Sequence, residues 1–296
     1  MVTRRALGLL PLGLVALLAV LLLAWAHPVG RDSSVHNHGW NGVSQACAEL
    51  GAEPLLSYDE LDALPLPASL ILMPHLPLGD AAADLLDRFT VAGGTLVLLD
   101  DFGYGNDLLE RLGVDVRLGA GVLLDPLYCH KHESMPRVEF LQHDVDVTRG
   151  DMVFNRGTWL DVAGQAGVWA WSSYFSFADG NGDGVRSKGE RNGPLPVAVM
   201  VPRGEGKVVV VADASLLLNS MLAPGDNVAA VAQWLEGRVL IDQVHLPEAE
   251  MDRGQQAIQA LRGSLDRGGG AVMLAMLIAC CALGYAWYNR GRQDNE

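Results

Sequence analysis

Two kinds of apolar pattern divide this chain into ends and a middle. Residues 6–26 and 268–288 are apolar runs without a single charged side chain. As helices, each is long enough to cross a bilayer core of roughly 30 Å. Between them the apolar runs are short. Residues 68–73 (ASLILM) and 95–99 (TLVLL) read as continuous apolar strands. Residues 79–91 read as an amphipathic helix with Ala83, Leu86 and Phe89 or Thr90 on one face, closed by Gly93-Gly94. Residues 41–50 and 106–112 add two more helical patterns. Uninterrupted apolar strands separated by helices predict a mostly parallel, doubly wound α/β sheet covered on both faces. From about residue 115 to 193 the rhythm is lost, which predicts an irregular insertion of short strands and loops. It returns as a hairpin, residues 196–201 and 207–212 around Gly204-Glu205-Gly206. A helix at 226–235, a last strand at 239–241 and a polar helix at 251–267 follow.

Charge orients the ends. Arg4 and Arg5 precede the first apolar run, and Arg290 and Arg292 follow the second. Cations favour the cytoplasmic side, so the pattern predicts a cell-membrane protein with both termini cytoplasmic and an extracytoplasmic centre. The expected layout is a cytoplasmic 1–5, a transmembrane helix at each of 6–26 and 268–288, an exterior domain 27–267 and a cytoplasmic tail 289–296. The lipid bilayer is then the first partner. Ala24-Trp25-Ala26 has the form of a signal-peptidase site, so cleavage after Ala26 is the alternative to a retained anchor.

Composition narrows the classes. Lys and Arg number 21 against 35 Asp and Glu, a net charge of -14, so no basic face is available for nucleic acid. Half of the residues are hydrophobic and 19% charged, which excludes a disordered chain. Of the four cysteines, Cys280 and Cys281 fall in the second apolar run. Cys47 and Cys129 fall in the exterior domain, where a disulfide is chemically permitted.

Short motifs carry a resemblance. In order they are Gly42-x-Ser44 at a helix, a strand ending in Pro74, and Gly93-Gly94 before TLVLLDD. A late GKVVVVADASLLLN, an Asp226-Asn227 helix start and IDQVH complete the series. Over roughly residues 40–250 the chain resembles uncharacterised membrane proteins whose ectodomain is similar to class I glutamine amidotransferases. Auxiliary subunits of gliding-type ABC transporters are related to them. The resemblance implies a flavodoxin- or amidotransferase-like sheet and no established reaction. It also implies MoxR-type ATPases or von Willebrand-type membrane proteins as partners. In such families a Glu often stands where this chain has Gln243.

Amidotransferase chemistry needs a nucleophilic Cys on a strand-to-helix turn. Here that turn reads Asp100-Asp101-Phe102-Gly103-Tyr104-Gly105, without Cys or Ser. Gly103-x-Gly105 is a partial dinucleotide loop, but Leu108 stands at the third glycine. Open α/β sheets bind ligands beyond the C-terminal ends of their strands. Those ends offer His75, Asp100, Asp101, Asp213, Asp242 and His245 as a ligand crevice, with helix capping by the same aspartates as the alternative.

The sharpest motif is residues 179–190, which fit D-x-[DN]-x-[DN]-G-x5-E in full. Asp179, Asn181, Asp183, the Val185 carbonyl and Glu190 would surround calcium with oxygen, and Gly184 makes the sharp turn. Arg186 stands where an apolar residue usually anchors such a loop, and no helix pattern flanks it, so a solvated acidic turn is the alternative. Cys129, His130, His132 and Glu133, with His143 and Asp144 nearby, are zinc-ligand types at no established spacing. Surface histidines in a loop are the commoner explanation for such a set. Trp169, Trp171, Tyr174, Phe175 and Phe177 alternate as core or sheet-face positions would. Taken together the residues predict a non-catalytic, membrane-anchored module that binds a ligand or partner in an envelope assembly, braced by calcium. A zinc-dependent hydrolase and an auxiliary subunit of an ABC-type transporter are the competing readings.

Overall fold

Strands that are almost wholly apolar have no face to give to water, and they form the middle of this molecule. The computed structural model describes residues 32–141, 149–164 and 166–246, with the isolated positions 278, 281, 284 and 285. Residues 31–247 make one unit; the other, 1–30 and 248–296, falls almost wholly outside the described residues. After helix α1 (Ser44–Leu50) come β1 (Glu53–Leu55), a 3-10 helix (Tyr58–Ala63), β2 (Ala68–Leu72), α2 (Asp80–Val91), β3 (Thr95–Leu99) and α3 (Asn106–Arg111). The insertion holds β4 (Val116–Leu118), β5 (Val122–Leu124), β6 (Arg137–Leu141), β7 (Arg149–Val153), β8 (Leu160–Val162), β9 (Gly167–Trp171) and β10 (Phe177–Asp179). The chain closes with β11 (Pro196–Arg203), β12 (Gly206–Val211), a 3-10 turn (Asn219–Met221), α4 (Asn227–Ala232) and β13 (Arg238–Asp242).

Nine strands form one sheet in the order β1-β13-β2-β3-β12-β11-β9-β6-β7. From β1 to β12 all neighbours are parallel. Every residue of β2 and β3 is buried, including Thr95 and Ser69, whose hydroxyl donates to the Glu236 carbonyl at 2.9 Å. Helix α2 covers this half with Ala83, Leu86, Phe89 and Thr90, the face expected from its spacing. Burying Leu86 and Phe89 contributes roughly 1.5–3 kcal/mol each before the cost of ordering them.

Beyond β12 the sheet changes character. The β11–β12 hairpin reverses direction, and β9, β6 and β7 then add on antiparallel. This corrects the expected mostly parallel, doubly wound sheet: the fold is mixed α/β, with parallel and antiparallel halves in one nine-stranded sheet. The supposed loop insertion supplies three of those strands. The physical reason is the hairpin, which turns β11 round and leaves it an unpaired edge. Strands from the insertion cover that edge, although their sequences are short and only partly apolar. The sheet ends at β7, whose backbone is capped by the start of α4. Asn227 accepts from the Val153 amide at 2.8 Å and donates to the Val153, Leu216 and Met221 carbonyls. Two further pairs of strands, β4–β8 and β5–β10, form separate antiparallel ladders.

The expected membrane topology is corrected as well. Among the described residues no helix is long and apolar enough to cross a membrane. Helix α2, with 12 residues, extends about 18 Å at the helical rise and has an exposed polar face. The apolar runs 6–26 and 268–288, and the polar helix 251–267, lie outside the described residues apart from the isolated positions. Among the described residues the structure supplies no helix for a two-span layout, and the expected cell-membrane placement with cytoplasmic termini and an extracytoplasmic centre finds no support there.

Candidate functional site

The C-terminal ends of the parallel strands bring the six crevice residues to one edge, but as two groups rather than one. Asp100 separates them. It is wholly buried, and its carboxylate accepts from the amides of Phe102 at 2.8 Å, Gly103 at 3.1 Å and Gly105 at 2.6 Å. Burial raises its pKa, and these backbone donors oppose the rise. A side chain at Gly105 would press on Leu98 and on the Asp100 carboxylate, so glycine is needed there for the close turn into α3. Asp100 is therefore a turn cap, the capping alternative realised.

On one side of it lie Asp101 and Asp213, at the ends of the adjacent strands β3 and β12. Asp213 is wholly buried and accepts from the amides of Asn155 and Ser215, both at 2.6 Å. Asp101 has one carboxylate oxygen buried with no partner. Burial, then the charge of Asp100, pushes Asp101 up to about 7; Arg156 opposes this. Burial, then the charge of Asp101, raises Asp213 well above the carboxylate range. Burial and neighbouring carboxylate charge thus favour the protonated form of both carboxyls.

On the other side lie His75, Asp242 and His245. Asp242 accepts from the Val244 amide at 3.0 Å and pairs with Nδ1 of His245 at 2.9 Å. The Tyr58 hydroxyl meets the same Nδ1, and burial, then the Asp242 charge, raises the Tyr58 pKa. The Nε2 atom of His75 is buried without a partner, and desolvation lowers its pKa. Tyr58 was not foreseen as part of this group. Its signal was a capping box: Ser57 accepts from the Asp59 amide, and Glu60 accepts from the Ser57 amide at 3.1 Å, which starts the 3-10 helix at Tyr58.

In the insertion, residues 179–190 fold back so that ligand atoms of Asp179, Asp183 and Glu190 all lie within 4.8 Å of one another. Among the described residues this is the one such group of three His, Cys, Asp or Glu side chains. Asp179 accepts from the Gly182 and Gly184 amides at 2.7 and 3.0 Å, and Asn181 from the Asp183 amide at 2.9 Å. Gly184 has φ of 72°, the left-handed turn that the sixth position of a calcium loop demands. Glu190 gives one oxygen to the Ser187 amide at 2.8 Å, and its other oxygen is buried without a partner. The donors are all oxygen, which fits a hard cation. Arg186, anomalous in the motif, lies 5.7 Å over the Phe177 ring and donates to the Ser176 carbonyl at 3.0 Å. It anchors the loop as an apolar residue would elsewhere.

The zinc set does not assemble. No three of Cys129, His130, His132 and Glu133 bring ligand atoms together in that way. Nδ1 of His130 faces Arg137 at 3.2 Å, and Nδ1 of His132 pairs with the Ser134 hydroxyl at 2.9 Å. His143 and Asp144 lie outside the described residues. Cys47 and Cys129 are free thiols, and burial pushes Cys47 up to about 12. The aromatic run divides: Phe177 is buried, while Trp171, Tyr174 and Phe175 are exposed.

The resemblance motifs do structural work. Asn219 donates to the Gly39 and Asn37 carbonyls and accepts from the Gln45 amide, fixing the entry to α1. Gln243 donates to the Ser33 and Asp242 carbonyls and accepts from the Val35 amide. A carboxylate at position 243 would have no N–H for those two carbonyls.

The profile of a family described as a domain of unknown function, DUF4350, matches residues 35–235. No curated protein matches the chain. Among solved structures, the mmIFT52 N-terminal domain is 15% identical with a TM-score of 0.47, over 60% of this chain and 80% of that one. A ThuA-like protein from Bacteroides uniformis is 10% identical with a TM-score of 0.39, over 64% and 80%. A β-galactosidase from Bacillus circulans sp. alkalophilus is 18% identical with a TM-score of 0.33, over 55% of this chain and 22% of the enzyme. Likenesses this distant carry neither fold nor function to this chain.

Proposed function

We propose a non-catalytic binding role for this chain, which belongs to the DUF4350 family of domains of unknown function, with its inserted loops braced by calcium. The observation that carries the calcium is the convergence of Asp179, Asp183 and Glu190, with one Glu190 oxygen buried and unpaired. Asn181 and the Val185 carbonyl complete the oxygen set that the motif requires. Calcium neutralises three carboxylates that otherwise repel one another, and so holds β10 and the chain that leads to β11. A lone loop of this kind belongs to the weak class, with Kd on the order of 10⁻⁴ to 10⁻³ M.

The non-catalytic part rests on the turn after β3. It offers no nucleophile, and its Asp100 carboxylate is taken up by three backbone amides. Binding therefore falls to the crevice around His75 and His245. The amidotransferase-like resemblance names the partners to try in pull-downs, MoxR-type ATPases and von Willebrand-type membrane proteins, and an ABC-type transporter complex after them.

The test is a calorimetric calcium titration of the purified chain and of Glu190→Gln. Saturable binding at millimolar calcium, weakened at least about tenfold by the substitution, supports the reading. No heat and no gain in melting temperature at millimolar calcium overturns it.

A further inference from the structure

The loop that gathers Asp179, Asp183 and Glu190 is tied to an exposed aromatic turn. Between β9 and β10 the chain turns at residues 172–176 and holds two rings out in solvent. Tyr174 has 78% and Phe175 54% of its surface exposed, so burial of those rings does not order the turn. Polar ties at its base do. The Ser173 hydroxyl donates to the wholly buried Asp125 carboxylate and accepts from the Phe175 amide at 3.0 Å. Ser176, also wholly buried, places its hydroxyl 2.7 Å from that of Ser172 and 2.8 Å from the Ser173 carbonyl.

The Ser176 carbonyl is where turn and loop meet. It accepts from the Gly193 amide at 2.8 Å and from the Arg186 guanidinium at 3.0 Å. The same guanidinium lies 5.7 Å over the ring of Phe177, the next residue in the chain. Arg186 is the eighth residue of the calcium motif and stands between two of its anchors. The Val185 carbonyl before it is a ligand position, and the Ser187 amide after it donates to Glu190 at 2.8 Å. An ion that draws in Val185 and Glu190 fixes the Arg186 backbone on both sides, and the side chain carries that restraint to Ser176 and Phe177.

We propose that calcium in the loop orders the aromatic turn, with Arg186 as the positioning residue that couples the two. The inference rests on the calcium reading of the loop and adds the regulation of that same site: the ion sets how firmly Tyr174 and Phe175 are presented.

The test is amide-resolved hydrogen exchange of the full chain with and without millimolar calcium, beside Arg186→Leu. Leucine supplies the apolar anchor that such loops usually carry, and it has no N–H for the Ser176 carbonyl. In the wild type, calcium should slow exchange about fivefold at the amides of Phe175, Ser176 and Gly193 as well as at Gly182 and Gly184 inside the loop. The amides of β3 should not respond. In Arg186→Leu the loop amides should still slow, and those of Phe175 and Ser176 should not. Slowing confined to the loop in the wild type, or a turn that responds equally in both chains, overturns the coupling and leaves the brace standing. The first of these needs no variant, so the proposal does not depend on Arg186→Leu folding. Absence of calcium binding by calorimetry, with no amide slowed, removes the brace and the coupling together.

Discussion

The two halves of the sheet solve the same problem, covering apolar strands, by different means. In the parallel half the central strands β2 and β3 are buried on both faces, and past the strand ends backbone amides hold Asp100, Asp213 and Asp242. In the antiparallel half β9 and β11 mix buried, half-buried and exposed positions, and side chains reach across to tie the segments. Asn227 caps β7, Ser172 and Ser176 bond each other at 2.7 Å, and the Asp125 carboxylate meets the Ser173 hydroxyl. The difference teaches that the parallel half is stabilised by burial, whereas the insertion depends on polar ties that a proton or a cation can change.

The largest break in that comparison is a cavity. Leu98→Ala, at a fully buried position of β3, should cost about 2–5 kcal/mol in urea unfolding. Val185→Ala, on the exposed insertion loop, should fall within about 0.5 kcal/mol. Comparable costs for the two would mean that the halves share one source of stability.

The acid pair sharpens the contrast at the seam. Asp101 sits at about 7, above its value in an unfolded chain, so the folded state holds a proton that the unfolded state releases. Stability should be fullest below the ordinary carboxylate pKa and decline as pH rises through about 7. Asp101→Asn should flatten denaturation profiles between about pH 5 and 8. A wild-type profile already flat over that range would refute the raised Asp101 pKa.

Asn227→Leu removes both amide N–H donors and the oxygen acceptor at the sheet edge and leaves several backbone groups unpaired. A loss of about 1–3 kcal/mol is expected, with faster hydrogen exchange at the β7 amides than at β2 or β3. Uniform acceleration across the sheet would show that β7 does not open separately.

The smallest effect is calcium itself. At ten times its Kd it should stabilise the chain by about 1.4 kcal/mol. Glu190→Gln should abolish that gain without altering the metal-free melting temperature by more than a degree or two. A calcium gain that survives in Glu190→Gln would move the cation to another set of oxygens.

Much of this was legible in advance, residue by residue. The runs at 68–72 and 95–99 declared buried strands, Ala83, Leu86 and Phe89 declared the inward face of α2, and the spacing of Asp179, Asp183 and Glu190 declared a converging loop. Tyr58 stayed hidden because a lone aromatic carries no sign of what it bonds to. The zinc set misled for the opposite reason: Cys129, His130 and His132 are neighbours in the chain, but their side chains turn to different partners.

By itself the sequence determined the local and short-range matters: the strands at 68–72, 95–99 and in the 196–212 hairpin, where glycine must turn the chain, and which oxygens one loop can gather. Those depend on steric and solvation preferences within a few residues. Only the tertiary structure decided the direction of the sheet beyond β12, the recruitment of β6, β7 and β9 to its open edge, and the division of six crevice residues into a carboxyl pair and a histidine group around a capping aspartate. Each of those depends on which groups far apart in the chain displace water from one another, and that is a property of the packed molecule.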